Sequence, residues 1–194
     1  SGSMAVPGRE KWRFAADMAV AIGYVALLSQ DAVLLSALGK LHAPRMSGGR
    51  AIHEISRLLA QIQPEGKPDA AREMQRALSR IRFPGLALLI SDFMMPFDQI
   101  VETVTLMRAR NLDITAIQVI AESDVNPLPG TDAAVLVDGE TGEEYELALT
   151  AEVRDEYASR FRAHQRKLQE YLAESGISRS EEHTSELQSP ECIS

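Results

Sequence analysis

Leu86-Ala-Leu-Leu-Ile-Ser-Asp-Phe93 decides the fold class of this chain. It is a short apolar run with Pro84-Gly85 before it and Met94-Met95-Pro96 after it. A continuous apolar run of this length between turn signals reads as a strand of a parallel sheet, buried on both faces. Asp92 stands near its carboxyl end, beside Ser91. In open α/β sheets ligands gather just beyond the carboxyl ends of the strands. Asp92 is therefore the leading candidate for a functional residue.

Outward from that strand, apolar spacing alternates between the helical and the extended period. The residues from Glu10 to Leu28 carry Trp12, Ala16, Ala19, Val20, Gly23, Ala26 and Leu27 at helical intervals. Asp31 to Leu38 reads as a buried strand, and Gly39-Lys40 turns it into a second short strand, Leu41 to Met46. Ser47-Gly48-Gly49 opens a helix with the stripe Ile52, Ile55, Leu59 and Ile62. Asp69 is a good N-cap for the next helix, which carries Met74, Ala77, Leu78 and Ile81. Beyond Pro96 a helix buries Ile100, Val101, Val104 and Met107, and Ile114 to Ala121 is the following strand. Ala133 to Val137 and Glu143 to Leu149 flank a turn-rich segment as a hairpin. A long last helix has Val153, Tyr157, Phe161, His164, Leu168 and Leu172 on one stripe. Strands alternating with helices predict an α/β layered domain with a mostly parallel sheet.

Composition bounds what such a domain does. The chain has 194 residues, 45% hydrophobic and 25% charged, with a net charge of −8. An acidic chain lacks the basic face that nucleic acid or anionic lipid needs, so neither is an expected partner. A single cysteine, Cys192, excludes a disulfide framework and a cysteine-based metal site. The longest apolar stretch, Ala19 to Leu28, is too short to span a bilayer, and a cytoplasmic location is expected. The chain opens Ser-Gly-Ser rather than with Met, so an upstream region, including a membrane tether, is left open.

Arg179-Ser-Glu-Glu-His-Thr-Ser-Glu-Leu-Gln-Ser189 has no apolar period and is similar to the in-frame translation of a common sequencing adapter. Residues 1–178 are thus expected to form the domain, and 179–194 a disordered artefactual tail.

Several stretches together resemble a known family, the bacterial von Willebrand factor A-like proteins of the "domain of unknown function 58" type. They are Ser1-Gly-Ser-Met4, Lys11 to Leu28, Asp31 to Leu38, Gly48-Gly-Arg-Ala51, Leu88-Leu-Ile-Ser-Asp-Phe93, Leu106-Met-Arg-Ala-Arg110 and Leu136-Val-Asp-Gly-Glu-Thr-Gly-Glu-Glu144. The resemblance implies a Rossmann-like sheet with helices on both faces. It also implies that the first, central strand, which would precede Ser1, is missing from this chain. A fragment lacking it is expected to fold poorly. The family's site is a metal-ion-dependent adhesion site, in which hydroxyl and carboxylate oxygens hold Mg²⁺ and leave a position open. Matched residue by residue, Ser1 and Ser3 are the two serines and Asp92 the late aspartate. The first aspartate of the pattern would lie before Ser1, and the threonine would fall near Pro68. The site is expected to be degraded, with Mg²⁺ a ligand of the intact protein rather than of this fragment. The function implied by the resemblance is that of a non-enzymatic protein-interaction module, with a MoxR-type AAA+ ATPase as partner.

Asp92-Phe-Met-Met-Pro96 also resembles the surroundings of the phosphate-accepting aspartate in response-regulator receiver domains. That alternative needs an acidic pair at an earlier strand end and a lysine at the end of the last strand. Neither Ala121-Glu-Ser-Asp124 nor Ala148-Leu-Thr150 supplies the lysine. His164 on the apolar stripe of the last helix is expected to bond a backbone group. His42 and His53 are isolated, and Gly48-Gly49 reads as a turn that opens a helix. Met94-Met95 reads as packing against the next helix. No nucleophile-elbow, Walker A or zinc-protease motif is present in the sequence.

Overall fold

Helical spacing in the first third of the chain produces α1, Glu10–Leu28, with Lys11, Ala15, Gly23 and Leu27 on its buried face. The computed structural model describes residues 4, 10–63, 69–82, 84–126, 133–137, 144–148 and 150–184, the segments 133–137, 144–148 and 183–184 as backbone. After α1 the chain turns through Gln30 at φ 66°. It then forms four two-residue strands: β1 (Ala32–Val33), β2 (Ser36–Ala37), β3 (Leu41–His42) and β4 (Met46–Ser47). β1 pairs antiparallel with β4 and β2 with β3. The expected turn at Gly39-Lys40 is present, with Gly39 at φ 75° and the Lys40 N–H donating to the Ala37 carbonyl at 2.9 Å. The expected continuous strand over 31–38 is not. That run folds back on residues 41–47, so its main chain bonds locally instead of entering the parallel sheet.

α2, Ala51–Ala60, buries Ile55 and Leu59 against α1 and the hairpin. The approach is close at Gly23, where a Cβ would lie 3.4 Å from Ile55 Cδ1. α3, Ala70–Leu78, begins at Asp69, whose side chain accepts the Arg72 N–H at 3.0 Å, as the sequence predicts. Such a cap stabilises a helix by about 1 kcal/mol.

The sheet contains β5 (Gly85–Ser91), β6 (Leu112–Ala121) and β9 (Ser178–Thr184) in the order β5-β6-β9, all parallel. Between β5 and β6 runs α4, Phe97–Arg108, with Ile100, Val104 and Met107 buried as its stripe predicts. α5, Glu122–Val125, is a single turn after β6. β7 (Ala133–Val137) and β8 (Glu144–Ala148) form the antiparallel hairpin read from the sequence. α6, Ala151–Glu174, starts at Thr150, whose hydroxyl accepts the Val153 N–H.

Strand alternation sorts the two faces of the sheet. Ala87 and Leu89 of β5, with Ile114 and Ala116 of β6, meet Met74 of α3, Val104 of α4 and Leu168 of α6 in the main core. Ile90 and Val119 point the other way, to Ala15 and Met4. Each large aliphatic side chain so buried contributes about 1.5–3 kcal/mol. Phe97 and Tyr171, edge to face at 5.5 Å, join α4 to α6.

Two expectations change here. The Leu86–Phe93 stretch is a parallel strand, but it is not buried on both faces: Leu86 is 66% exposed. Among the described residues β5 has a neighbour on one side only, and β6 is the strand with two. The stretch read as a disordered tail supplies β9 over its first six residues, and 185–194 lie outside the described residues. A parallel strand is held through its main chain, so a polar segment without apolar alternation can still complete an edge.

Candidate functional site

The carboxyl ends of β5 and β6 lie side by side, since Ser91 pairs with Gln118. Asp92 follows Ser91 directly and is 1% exposed. The chain then turns sharply at Phe93, which sits at φ 54°, a conformation that a bulky residue adopts only when its surroundings hold it there. Three contacts hold it. The ring is buried in the main core, the N–H donates to Ser91 Oγ at 3.0 Å, and the carbonyl accepts from His164 Nε2 at 2.9 Å. The last contact fulfils the expectation that His164 bonds a backbone group.

The turn places Asp92 against a residue not singled out by the sequence pattern. Lys11 Nζ lies 3.3 Å from Asp92 Oδ2 and 2.8 Å from Asp124 Oδ1. Lys11 comes from the first turn of α1 and Asp124 from α5, so three elements meet on one ammonium. The remaining carboxylate oxygens are also engaged. Asp92 Oδ1 accepts the Met94 N–H at 3.2 Å, and Asp124 Oδ2 accepts the Ala121 N–H at 2.9 Å. Gln118 Nε2 donates to the Asp92 carbonyl at 3.1 Å, and the Gln118 side-chain oxygen accepts from Arg179. Tyr157 donates to the Asp124 carbonyl at 2.7 Å, and burial, with the Asp124 charge second, pushes its phenol above the ordinary range.

These donors do not suit a divalent ion. Mg²⁺ takes near-octahedral oxygens at about 2.0–2.1 Å, and every oxygen of the two carboxylates already has a hydrogen-bond donor. The described residues contain no group of three acidic, histidine or cysteine side chains able to hold a metal. Of the residues matched to the adhesion-site pattern, Asp92 stands at the strand end as expected, while Ser1 and Ser3 lie outside the described residues. Met4, just beyond them in the chain, packs on Ala15 and Val119 with Ile90 beside it, near the same end of β5.

Lys11 could have been found. It precedes Ala15, Ala19, Gly23 and Leu27 at steps of four, so a charge sits on an apolar stripe. Asp124 had no comparable signal, because α5 is a single turn.

A cleft of about 2050 Å³ runs along the side of β5 that has no strand neighbour among the described residues. Leu34, Leu35, Leu86, Leu88 and Phe161 line it, and Phe93, Met94 and His164 bring it up to the rim of the site. Lys11, Asp92 and Asp124 are not among its lining residues. No helix among the described residues is long and apolar enough to cross a membrane.

This geometry can be set beside known proteins. A family described as "Protein of unknown function DUF58" matches residues 1–167. The uncharacterized protein MAV169 of Mycobacterium avium is 30% identical over 125 residues, covering 62% of this chain and 72% of that protein. The uncharacterized protein Rv1480 of Mycobacterium tuberculosis is 27% identical over 137 residues, or 69% of this chain. The match spans 42% of the length of Rv1480, and the same holds for Mb1516 of Mycobacterium bovis. Among solved structures, the conserved hypothetical protein BatB from Bacteroides thetaiotaomicron has a similar fold. Its TM-score is 0.54 at 15% identity, over 90% of this chain and 81% of that one. That likeness bears on the fold alone and agrees with a Rossmann-like α/β domain whose parallel sheet is flanked by helices.

Proposed function

We propose, for a chain that belongs to the DUF58 family of proteins of unknown function, that it is a non-enzymatic, cytoplasmic protein-interaction module. On this reading it is a domain of von Willebrand factor A type that docks a partner at the carboxyl edge of its sheet. The partner is a MoxR-type AAA+ ATPase, and the docking edge is a degraded metal-ion-dependent adhesion site composed of Ser1, Ser3 and Asp92. The observation that carries this reading is the turn after β5. A buried carboxylate and a left-handed phenylalanine hold the 93–96 loop at the end of a parallel strand, where open α/β sheets present their ligands. Asp92 is then a positioning residue, and the loop after it, with half-buried Met94 and exposed Pro96, provides the contact, while Met95 packs against the core.

Biolayer interferometry of the chain against the purified ATPase tests this. Saturable binding that weakens about tenfold in Asp92→Asn, a loss of about 1.4 kcal/mol, is the expected result. No binding at any concentration would remove the ATPase as partner.

The receiver-like alternative uses Asp92 as phosphoryl acceptor. Its near-complete burial and two engaged oxygens weigh against in-line attack. A mass gain with a small phosphodonor and Mg²⁺ that disappears in Asp92→Asn would favour that alternative instead.

A further inference from the structure

We propose that the Lys11 ammonium is the resident cation of this site, holding by covalent attachment the place between Asp92 and Asp124 that a divalent ion would take. The oxygens turned toward each other at the two strand ends are Asp92 Oδ2 and Asp124 Oδ1, and Lys11 Nζ lies between them at 3.3 and 2.8 Å. The outward oxygens are tied to the Met94 and Ala121 N–H groups, so neither carboxylate can swing its second oxygen inward without breaking a backbone bond. The Lys11 and Asp92 side chains are 2% and 1% exposed, and Asp124 is 14% exposed. An ammonium carries three donors on one small centre, which suits two converging carboxylates. Displacing it would move a buried charge to water and leave Lys11 without its partners. A cation supplied by α1 cannot dissociate, so the strand ends stay clamped whatever the free Mg²⁺. The functional consequence, partner docking that is indifferent to chelators, rests on the docking role proposed above.

The decisive measurement is of the ammonium itself. Substituting Lys40→Arg, Lys67→Arg and Lys167→Arg leaves Lys11 as the sole lysine of the chain. Its ¹⁵N-labelled Nζ is then read by NMR during titration with Mg²⁺ and with Mn²⁺. A signal that persists unshifted under Mg²⁺ and unbroadened under Mn²⁺, but moves in Asp92→Asn and in Asp124→Asn, is expected. A saturable Mg²⁺ shift, or Mn²⁺ broadening abolished by Asp92→Asn, would overturn the proposal. This arm needs no removal of Lys11, so it decides even if Lys11→Met fails to fold. In a folded Lys11→Met chain the freed carboxylates should bind Mn²⁺ about tenfold more tightly than in the parent, by electron paramagnetic resonance. A folded variant that binds Mn²⁺ no better than the parent counts against the resident cation. Partner capture with and without EDTA separates the two ideas. An unperturbed ammonium with no capture sinks the docking role alone, whereas a metal-responsive ammonium with intact capture sinks the resident cation alone.

Discussion

β5 and β6 are both apolar runs, lie next to each other in parallel register, and both lead into an aspartate, yet they occupy different environments. β6 is buried at eight of its ten positions, with Val119 and Ala116 fully enclosed. β5 begins with exposed Gly85 and Leu86 and is nowhere fully buried before Asp92. Their hydrophobicity does not account for this difference. β6 has a strand on each side, α1 on one face and α4 on the other, whereas among the described residues one flank of β5 opens onto the cleft. Apolar character thus specifies that a segment pairs, while its rank in the sheet depends on which other segments arrive. The two strands converge again at their carboxyl ends, where Lys11 joins the aspartate beyond each one.

The largest effect should come from cutting that junction. Lys11→Met leaves buried carboxylates without their counter-charge and should destabilise the chain by about 3–5 kcal/mol, read from urea unfolding. Adding Asp92→Asn to the same variant should restore more than half of the loss. A single-variant cost below about 1 kcal/mol would mean that the strand ends are not clamped through Lys11.

Next comes a direct contrast between the strands. Ile114→Ala on β6 should cost about 2–5 kcal/mol, as for other buried aliphatic truncations. Leu86→Ala on β5 should stay within about 0.5 kcal/mol of the parent. Equal losses would show that β5 is covered in solution by something that buries Leu86.

Leu86→Lys sharpens the same point with a smaller change. A charge on an unpaired apolar strand discourages edge-to-edge association. Light scattering should therefore show less self-association at unchanged unfolding midpoint; unchanged scattering would say that this edge is already protected.

The smallest effect concerns the hairpin beside the open flank of β5, where His42 Nε2 and Glu73 Oε2 are 3.2 Å apart and Arg76 reaches the same carboxylate. Burial alone would push the Glu73 carboxyl up. The His42 hydrogen bond and the Arg76 charge outweigh it and hold the group below its ordinary 4.5. A carboxyl depressed in the folded state stabilises it above the unfolded value, and that contribution disappears as pH falls through the folded value. The urea midpoint should accordingly fall with decreasing pH below about 4.5, and Glu73→Gln should flatten that part of the profile. A profile unchanged by Glu73→Gln would break the link between the hairpin and α3.

Which segments become helices is legible in the residues alone, because amphipathic spacing and caps such as Asp69 act within a few residues. Local apolar runs and their turn signals likewise mark Leu86–Ser91 and the residues around Ile114 as extended and put Asp92 at a strand end, but the similar 31–38 run shows that they do not say which segments join the parallel sheet. The folded arrangement alone settled that, among the described residues, β6 and not β5 has neighbours on both sides. It likewise decided that the 31–38 run folds onto its own hairpin and that a polar segment supplies β9. Above all it brought Lys11, Asp92 and Asp124 together, with the two aspartates 81 and 113 residues beyond the lysine. Range explains the division. Helix and turn preferences are written in contiguous residues, whereas strand order and a buried ion cluster are set by chain segments that meet only once the molecule has folded.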